Sequence, residues 1–208
     1  MYVPPAFRIE DLAEIQAAMR SARLAQVVTF GASGLAATPL PLLLDPDEGA
    51  FGTLYGHLAR ANPQWREAAP GGEALAIFMG PDAYVTPAWY EAKAETGKVV
   101  PTWNYETVQA RGPAEFFDDP DRLHSVVTRL TDRQEAARAE PWAVTDAPEP
   151  FVRAQLRGIV GLRLPIARLE GKRKMSQNRS LADQARVREG LALSADPADR
   201  SAAAAMPG

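Results

Sequence analysis

The chain has 208 residues, 46% apolar and 24% charged, with a net charge of −3. That mix belongs to a globular protein with a real core, organised as one elaborated domain rather than two, and its slight negative charge gives the whole chain no pull towards DNA or anionic membranes. Cysteine is absent, which excludes disulfides, thiolate metal sites and cysteine nucleophiles and fits a cytoplasmic protein. No run approaches the ~18–20 apolar residues of a membrane span, and MYVPPAFRIEDL lacks the order of a secretory signal.

Residues 9–20 carry Ile9, Leu12, Ile15 and Met19 at helical spacing. Three strand-like runs follow: 24–30, 35–44 and 51–58, separated by Gly31-Ala32-Ser33-Gly34 and Asp45-Pro46-Asp47-Glu48-Gly49. Connections this short make antiparallel pairs. Pro39 and Pro41 both remove a ladder donor on the same side of the second run, which predicts an edge or a strand that faces a ligand. Asn62 caps a short helix with Pro63 at its first position. Residues 74–80 read as a buried strand, 81–100 as a long functional loop, and 101–117 as a long strand broken at Gly112-Pro113.

Asp118-Asp119-Pro120 then starts a helix to about Arg138, with Leu123, Val126, Val127 and Leu130 inward. A shorter helix around 150–157 precedes a closing strand within 158–170. The polar GKRKMSQNR is expected to be ordered by a ligand or a partner chain. Residues 194–208 are small and polar and predict a disordered tail after a domain spanning 1–193. The pattern as a whole predicts an α+β, mainly β fold: a small antiparallel barrel of about six strands with peripheral helices.

The sequence lacks a self-contained catalytic constellation. Only His57 and His124 are present, too few for a three-histidine zinc site, and no zinc-ligand spacing, nucleophile elbow, dinucleotide fingerprint or P-loop occurs. Redox chemistry here would need a cofactor. Charge is uneven, however. Between Arg163 and Gly190 stand eight basic residues, Arg163, Arg168, Lys172, Arg173, Lys174, Arg179, Arg186 and Arg188, against three acidic ones. Such a segment suits a phosphate-bearing ligand, an acidic partner, nucleic acid, or simply a solvated helix face.

Four blocks hold more polar and aromatic residues than a core requires: MYVPPAFRIED (1–11), GTLYGHLARANPQW (52–65), GKVVPTWNY (97–105) and EGKRKMSQNR (170–179). In this order they resemble the PaiB family of FMN-binding negative transcriptional regulators, relatives of the pyridoxamine-phosphate-oxidase-like split barrels. The resemblance covers roughly residues 1–190, with Gln109 and Arg111 departing from a histidine-containing stretch. It implies an FMN-binding split β-barrel in a bacterial, cytoplasmic homodimer, with one FMN at each of two sites on the subunit interface and a basic C-terminal segment at 166–193. It also implies a regulatory role, with an FMN-dependent oxidoreductase (a flavin reductase or small-molecule oxidase using NAD(P)H) as the alternative. Direct DNA contact would have to use the basic segment.

The residue types agree with such a ligand. Arg60 suits a phosphate because guanidinium binds it bidentately, with His57 and Asn62 as neighbouring donors. Thr38, Pro39 and Leu40 offer backbone groups to the flavin ring edge. Trp103 and Asn104 reach the flavin from the second subunit on this reading, with Thr102 beside them among the cofactor contacts. Lys172 and Lys174 complete the anion site, and Ser176 and Gln177 contact the ligand or the interface. Each has a plainer alternative: an ion pair for Arg60, a satisfied histidine for His57, a helix cap for Asn62, packing for Trp103, and a solvated basic run for the lysines.

Overall fold

The computed structural model describes residues 1–207. Its chain divides into two units, the first comprising Met1–Ala18, Met79–Val108 and the chain from Glu170 onward, the second Met19–Phe78 and Gln109–Leu169. The elements in order are β1 (Arg8–Ile9), α1 (Leu12–Ser21), β2 (Ala25–Gly31), β3 (Gly34–Leu40), β4 (Leu43–Asp45), β5 (Thr53–Ala59), α2 (Gln64–Glu67), β6 (Glu73–Val85) and α3 (Glu91–Thr96). There follow β7 (Thr102–Pro113), β8 (Glu115–Phe117), α4 (Pro120–Glu135), α5 (Glu149–Leu156), β9 (Ile159–Pro165), β10 (Arg168–Lys174), α6 (Leu181–Ala192) and α7 (Pro197–Ala204). Strands β6 and β7 run through both units.

In the second unit, β2 and β3 form a hairpin in register from Ala25↔Leu40 to Gly31↔Gly34, and β2 also pairs antiparallel with β6. As the sequence predicts, β3 is an edge: among the described residues its one strand neighbour is β2. Pro41 ends it, so the second run divides and β4 joins a separate sheet ordered β4-β5-β9-β8. The pairs β4–β5, β5–β9 and β8–β9 are antiparallel. Helix α4 is capped by Asp119, whose side chain accepts the Arg122 N–H. It buries Leu123, Val126 and Leu130 with Phe117 and Leu156, while Val127 is only partly buried. From β9, Arg163 ties Glu48, Tyr55 and Glu115 together.

In the first unit the strand order is β1-β10-β7-β6, with β1 antiparallel to β10 through Arg8↔Lys172 and Ile9↔Gly171. GKRK is therefore ordered by the chain's own strand ladder. Residues 81–100, expected as one loop, extend β6 to Val85, make a 3₁₀ turn over Pro87–Trp89 and form α3. The tail also departs from expectation. Asp196 caps α7 by accepting the Ala198 N–H, and Ala202, Ala203 and Met206 join Val85, Tyr90, Met175, Val187 and Leu191 in a buried cluster. Small residues proved to be what that packing needs. At Gly190 even a Cβ would come within 2.3 Å of the Trp89 ring. Gly208 lies outside the described residues.

The described residues thus form an α+β, mainly β fold of the split β-barrel class, with ten strands. The excess over six comes from three short breaks, at Pro41, at Ala114 between β7 and β8, and at 166–167 between β9 and β10, and from the two-residue β1, which the sequence pattern does not announce.

Candidate functional site

The thirteen candidate residues fall into two sets, one in each unit. In the first unit the set gathers around β7 and β10. Adjacent strand residues point to opposite faces, which separates the three successive cations at the end of β10. Arg173 turns one way and is fully engaged, by Glu106 at 2.6 Å and Glu14 at 3.0 Å. Lys172 turns the other way. It is buried, with its ammonium 5.0 Å from the centroid of the Tyr105 ring and 5.8 Å from that of Tyr2, a cation–π arrangement.

Lys174 donates to Thr102 Oγ1 at 2.6 Å and to the Trp103 carbonyl. Its ammonium pKa lies below the ordinary lysine range, first because it is desolvated and then because Lys172 and Arg179 are close. Among the described residues no carboxylate pairs with Lys172 or Lys174. Two cations gathered without a counter-charge are electrostatically costly until an anion arrives.

Asn104 is fully buried. Its Oδ1 accepts the Ser176 hydroxyl at 3.0 Å, but its Nδ2 has no hydrogen-bond partner. Exchanging the amide atoms would still leave one unpaired. Ser176 has φ +63°, the one non-glycine residue with positive φ among those described, a conformation that is uncommon outside functional turns. Gln177 stabilises that turn by accepting the Met175 N–H at 2.6 Å and donating to the Arg173 carbonyl. Asn104 shares its face of β7 with Thr102 and Glu106, whereas Trp103 and Tyr105 share the other. Trp103 is 54% exposed and meets Tyr84 edge-on, centroids 5.8 Å apart.

In the second unit the set is more inwardly occupied. Thr38 donates to Gln64 Oε1 at 2.5 Å and accepts Asn62 Nδ2 at 2.9 Å. Asn62 Oδ1 in turn accepts the Gln64 N–H, but the helix begins one residue later than expected: Pro63 is its N-cap and Gln64 its first residue, so Asn62 closes the turn ahead of the helix and is not its cap. Gln64 completes the network by donating to the Val27 carbonyl and Thr29 Oγ1. Pro39 is exposed and Leu40 buried. His57 lies on β5 opposite Gly161. Its Nδ1 is buried without a partner, and burial pushes the imidazole pKa down. Arg60 donates Nε–H to the Arg157 carbonyl at 2.8 Å and a terminal N–H to that of Ile159 at 3.2 Å. Its remaining partner, Asp118, stands at 3.4 Å.

The sequence reading missed Glu106 and Glu14 as the partners that orient Arg173, and Gln64 as the centre of its network. Strict alternation along GKRK was the available signal for the first. Nothing local announces the second.

Comparison with known proteins identifies the chain at this point. The profile of the family described as "Putative FMN-binding domain" matches residues 1–168. The protease synthase and sporulation protein PAI 2 of Bacillus subtilis is 30% identical over 197 residues, covering 95% of this chain and 92% of that protein. The chain belongs to the PaiB family of FMN-binding proteins. Membership is not confined to bacteria: an uncharacterized protein of Aspergillus fumigatus is 37% identical over 172 residues, covering 67% of this chain and 66% of that protein. Among solved structures, an FAD and heme binding protein from Mycobacterium smegmatis shares the fold with a TM-score of 0.59 and 19% identity, covering 80% of this chain and 73% of that one.

FMN is the cofactor that PaiB-family membership assigns to the chain, and the first unit's residues fit it. Lys172 and Lys174 offer positive charge for a phosphate, Asn104 holds an unused buried amide group, and Trp103 and Tyr105 supply aromatic surface. Bound FMN would supply the electron-transfer chemistry that this side-chain set lacks. No helix among the described residues is long and apolar enough to cross a membrane.

Proposed function

We propose that the chain is an FMN-binding regulator that holds the flavin phosphate with Lys172 and Lys174, assisted by Thr102, Asn104, Ser176 and Gln177, and that it acts as a homodimer in the cytoplasm. Thr38 to Leu40, His57, Asn62 and Trp103 complete the flavin's surroundings in this reading, and Arg60 is its alternative phosphate ligand. The observation that carries the reading is the pair of lysines without carboxylate partners, one of them deprotonating more readily than usual, together with a buried amide nitrogen that has no hydrogen-bond partner. Titration with FMN and with riboflavin, followed by flavin fluorescence, tests it. FMN should bind at least about tenfold more tightly than riboflavin, and Lys172→Gln with Lys174→Gln should erase that preference. Equal affinity for both flavins would remove the phosphate site.

A second reading, an FMN-dependent oxidoreductase, is favoured by the state of the basic segment. Arg163 pairs with Glu48 and Glu115, Arg173 with Glu106 and Glu14, and Arg186 with Glu91, while Arg188 bonds the Pro207 carbonyl. The three arginines neutralised by carboxylates release few counterions on DNA, which weakens the electrostatic case for direct repression. NAD(P)H oxidation by the FMN-loaded protein, faster than by free FMN, supports the oxidoreductase. Salt-sensitive retardation of promoter DNA supports direct regulation.

A further inference from the structure

We propose that the second unit carries a separate binding site for a small organic carboxylate with an apolar body, in a cavity of about 470 Å³ between Arg60, Arg157 and the edge of the α4–α5 core. Its floor is apolar: Leu123 and Leu156 line it, and both belong to the buried cluster beneath α4. Its rim is cationic. Arg60, Arg153 and Arg157 line the same cavity against a single acidic side chain, Asp118.

The three guanidiniums are not equivalent. Arg153 is already paired with Glu149 at 3.0 Å, with Asp121 at 3.8 Å. Arg157 has no carboxylate partner among the described residues and makes one long bond, to the Arg153 carbonyl at 3.5 Å. Arg60 is anchored at two carbonyls, so its orientation is fixed before any ligand arrives, and its remaining contact to the largely exposed Asp118 is long. A fixed guanidinium beside an unpaired one is a carboxylate receptor with little ordering left to do. The apolar side of the cavity, lined by Pro120, Leu123 and Leu156, favours an anion with an apolar body over one that only carries charge. The volume suits an aromatic or branched aliphatic acid.

The test uses the FMN-loaded protein with phenylacetate as probe, benzyl alcohol as its uncharged counterpart and inorganic phosphate as the bodiless anion, followed by methyl NMR of Leu123 and Leu156. Phenylacetate should shift both leucines saturably, benzyl alcohol and phosphate should bind about tenfold more weakly or not at all, and Arg157→Gln should lower phenylacetate affinity about tenfold. Arg157 is exposed, so this variant keeps the fold, whereas Arg60→Gln also removes a backbone brace. The proposal falls if benzyl alcohol or phosphate matches phenylacetate, or if Arg157→Gln has no effect. It also falls if added FMN displaces the probe from flavin-free protein, which would return Arg60 to the flavin phosphate. Loss of FMN binding by the lysine variants leaves this result untouched, so the two sites fail separately.

Discussion

Arg173 donates to the buried carboxylate of Glu106 at 2.6 Å, and this ion pair braces β10 between Lys172 and Lys174. The Glu106 side chain is 8% exposed and that of Arg173 34%. Glu106 has room because position 80 is glycine, where a Cβ would come within 2.9 Å of it. Arg173→Met strands a carboxylate in the interior and should cost about 2–3 kcal/mol, less than a fully buried pair because Arg173 is partly solvated. Adding Glu106→Gln should recover much of that loss in urea unfolding. Purely additive single effects would show that the pair does not orient the strand.

Gln64 is buried and joins α2 to the β2–β3 hairpin through the Val27 carbonyl and the hydroxyls of Thr29 and Thr38. Gln64→Met keeps the volume but leaves these groups unsatisfied, so a loss of about 2–3 kcal/mol is expected. Asn62→Ala removes an acceptor from the turn and should cost about 1 kcal/mol. Thermal unfolding should rank the two in that order; an Asn62 effect exceeding that of Gln64 would relocate the centre of the network.

His57 gives the protein an acid-side weakness. Burial holds its folded pKa below the ordinary value, so the unfolded chain takes up a proton first as the pH falls. Stability from this group is complete above roughly pH 6.5 and declines from there down towards the folded pKa. Glu48, held below the usual carboxylate range by its hydrogen bond from Tyr55 and then by Arg163, adds a further loss below about pH 4.5. His57→Gln should flatten the stability profile between about pH 5 and 7. A profile unchanged by the substitution would mean that His57 takes up its proton as readily in the folded chain as in the unfolded one.

The C-terminal segment is a core element in spite of its composition. Met206 is 6% exposed within the cluster that holds Val187 and Leu191, so Met206→Ala should cost about 2 kcal/mol. Truncation after Leu193 should expose that cluster, read as binding of a hydrophobic dye. Unchanged stability on truncation would restore the disordered tail.

Periodicity and turn chemistry made most of the fold legible: the β2–β3 hairpin, the edge marked by Pro39 and the inward leucines of α4 all follow from local residues. What stayed hidden depends on distant partners. SAAAAM has too little apolar surface to suggest burial by itself, and its place is created by Trp89 against Gly190 and by Val85, 120 residues earlier in the chain. The lysines of GKRK were legible as an anion site by type. Their settings, Lys172 against Tyr105 and Lys174 on Thr102, became clear only in the fold, and the partner of Arg173 stayed hidden because a carboxylate sixty-seven residues away in sequence leaves no local trace.

Asn104 offers the sharpest separation of structural from cofactor roles. Its amide makes one bond, to Ser176, and leaves one buried polar atom unpaired. Replacing it by alanine deletes a bond worth about 1 kcal/mol and also deletes an unsatisfied group that costs a similar amount, so flavin-free Asn104→Ala should unfold within about 1 kcal/mol of the parent. If the spare amide is there for the flavin, the same substitution should weaken FMN by about tenfold, because the bound ligand then loses a donor that no water replaces. Calorimetric titration with FMN alongside urea unfolding separates the cases. A large stability loss with FMN affinity intact would make Asn104 a packing residue and move the flavin's hydrogen bonds elsewhere.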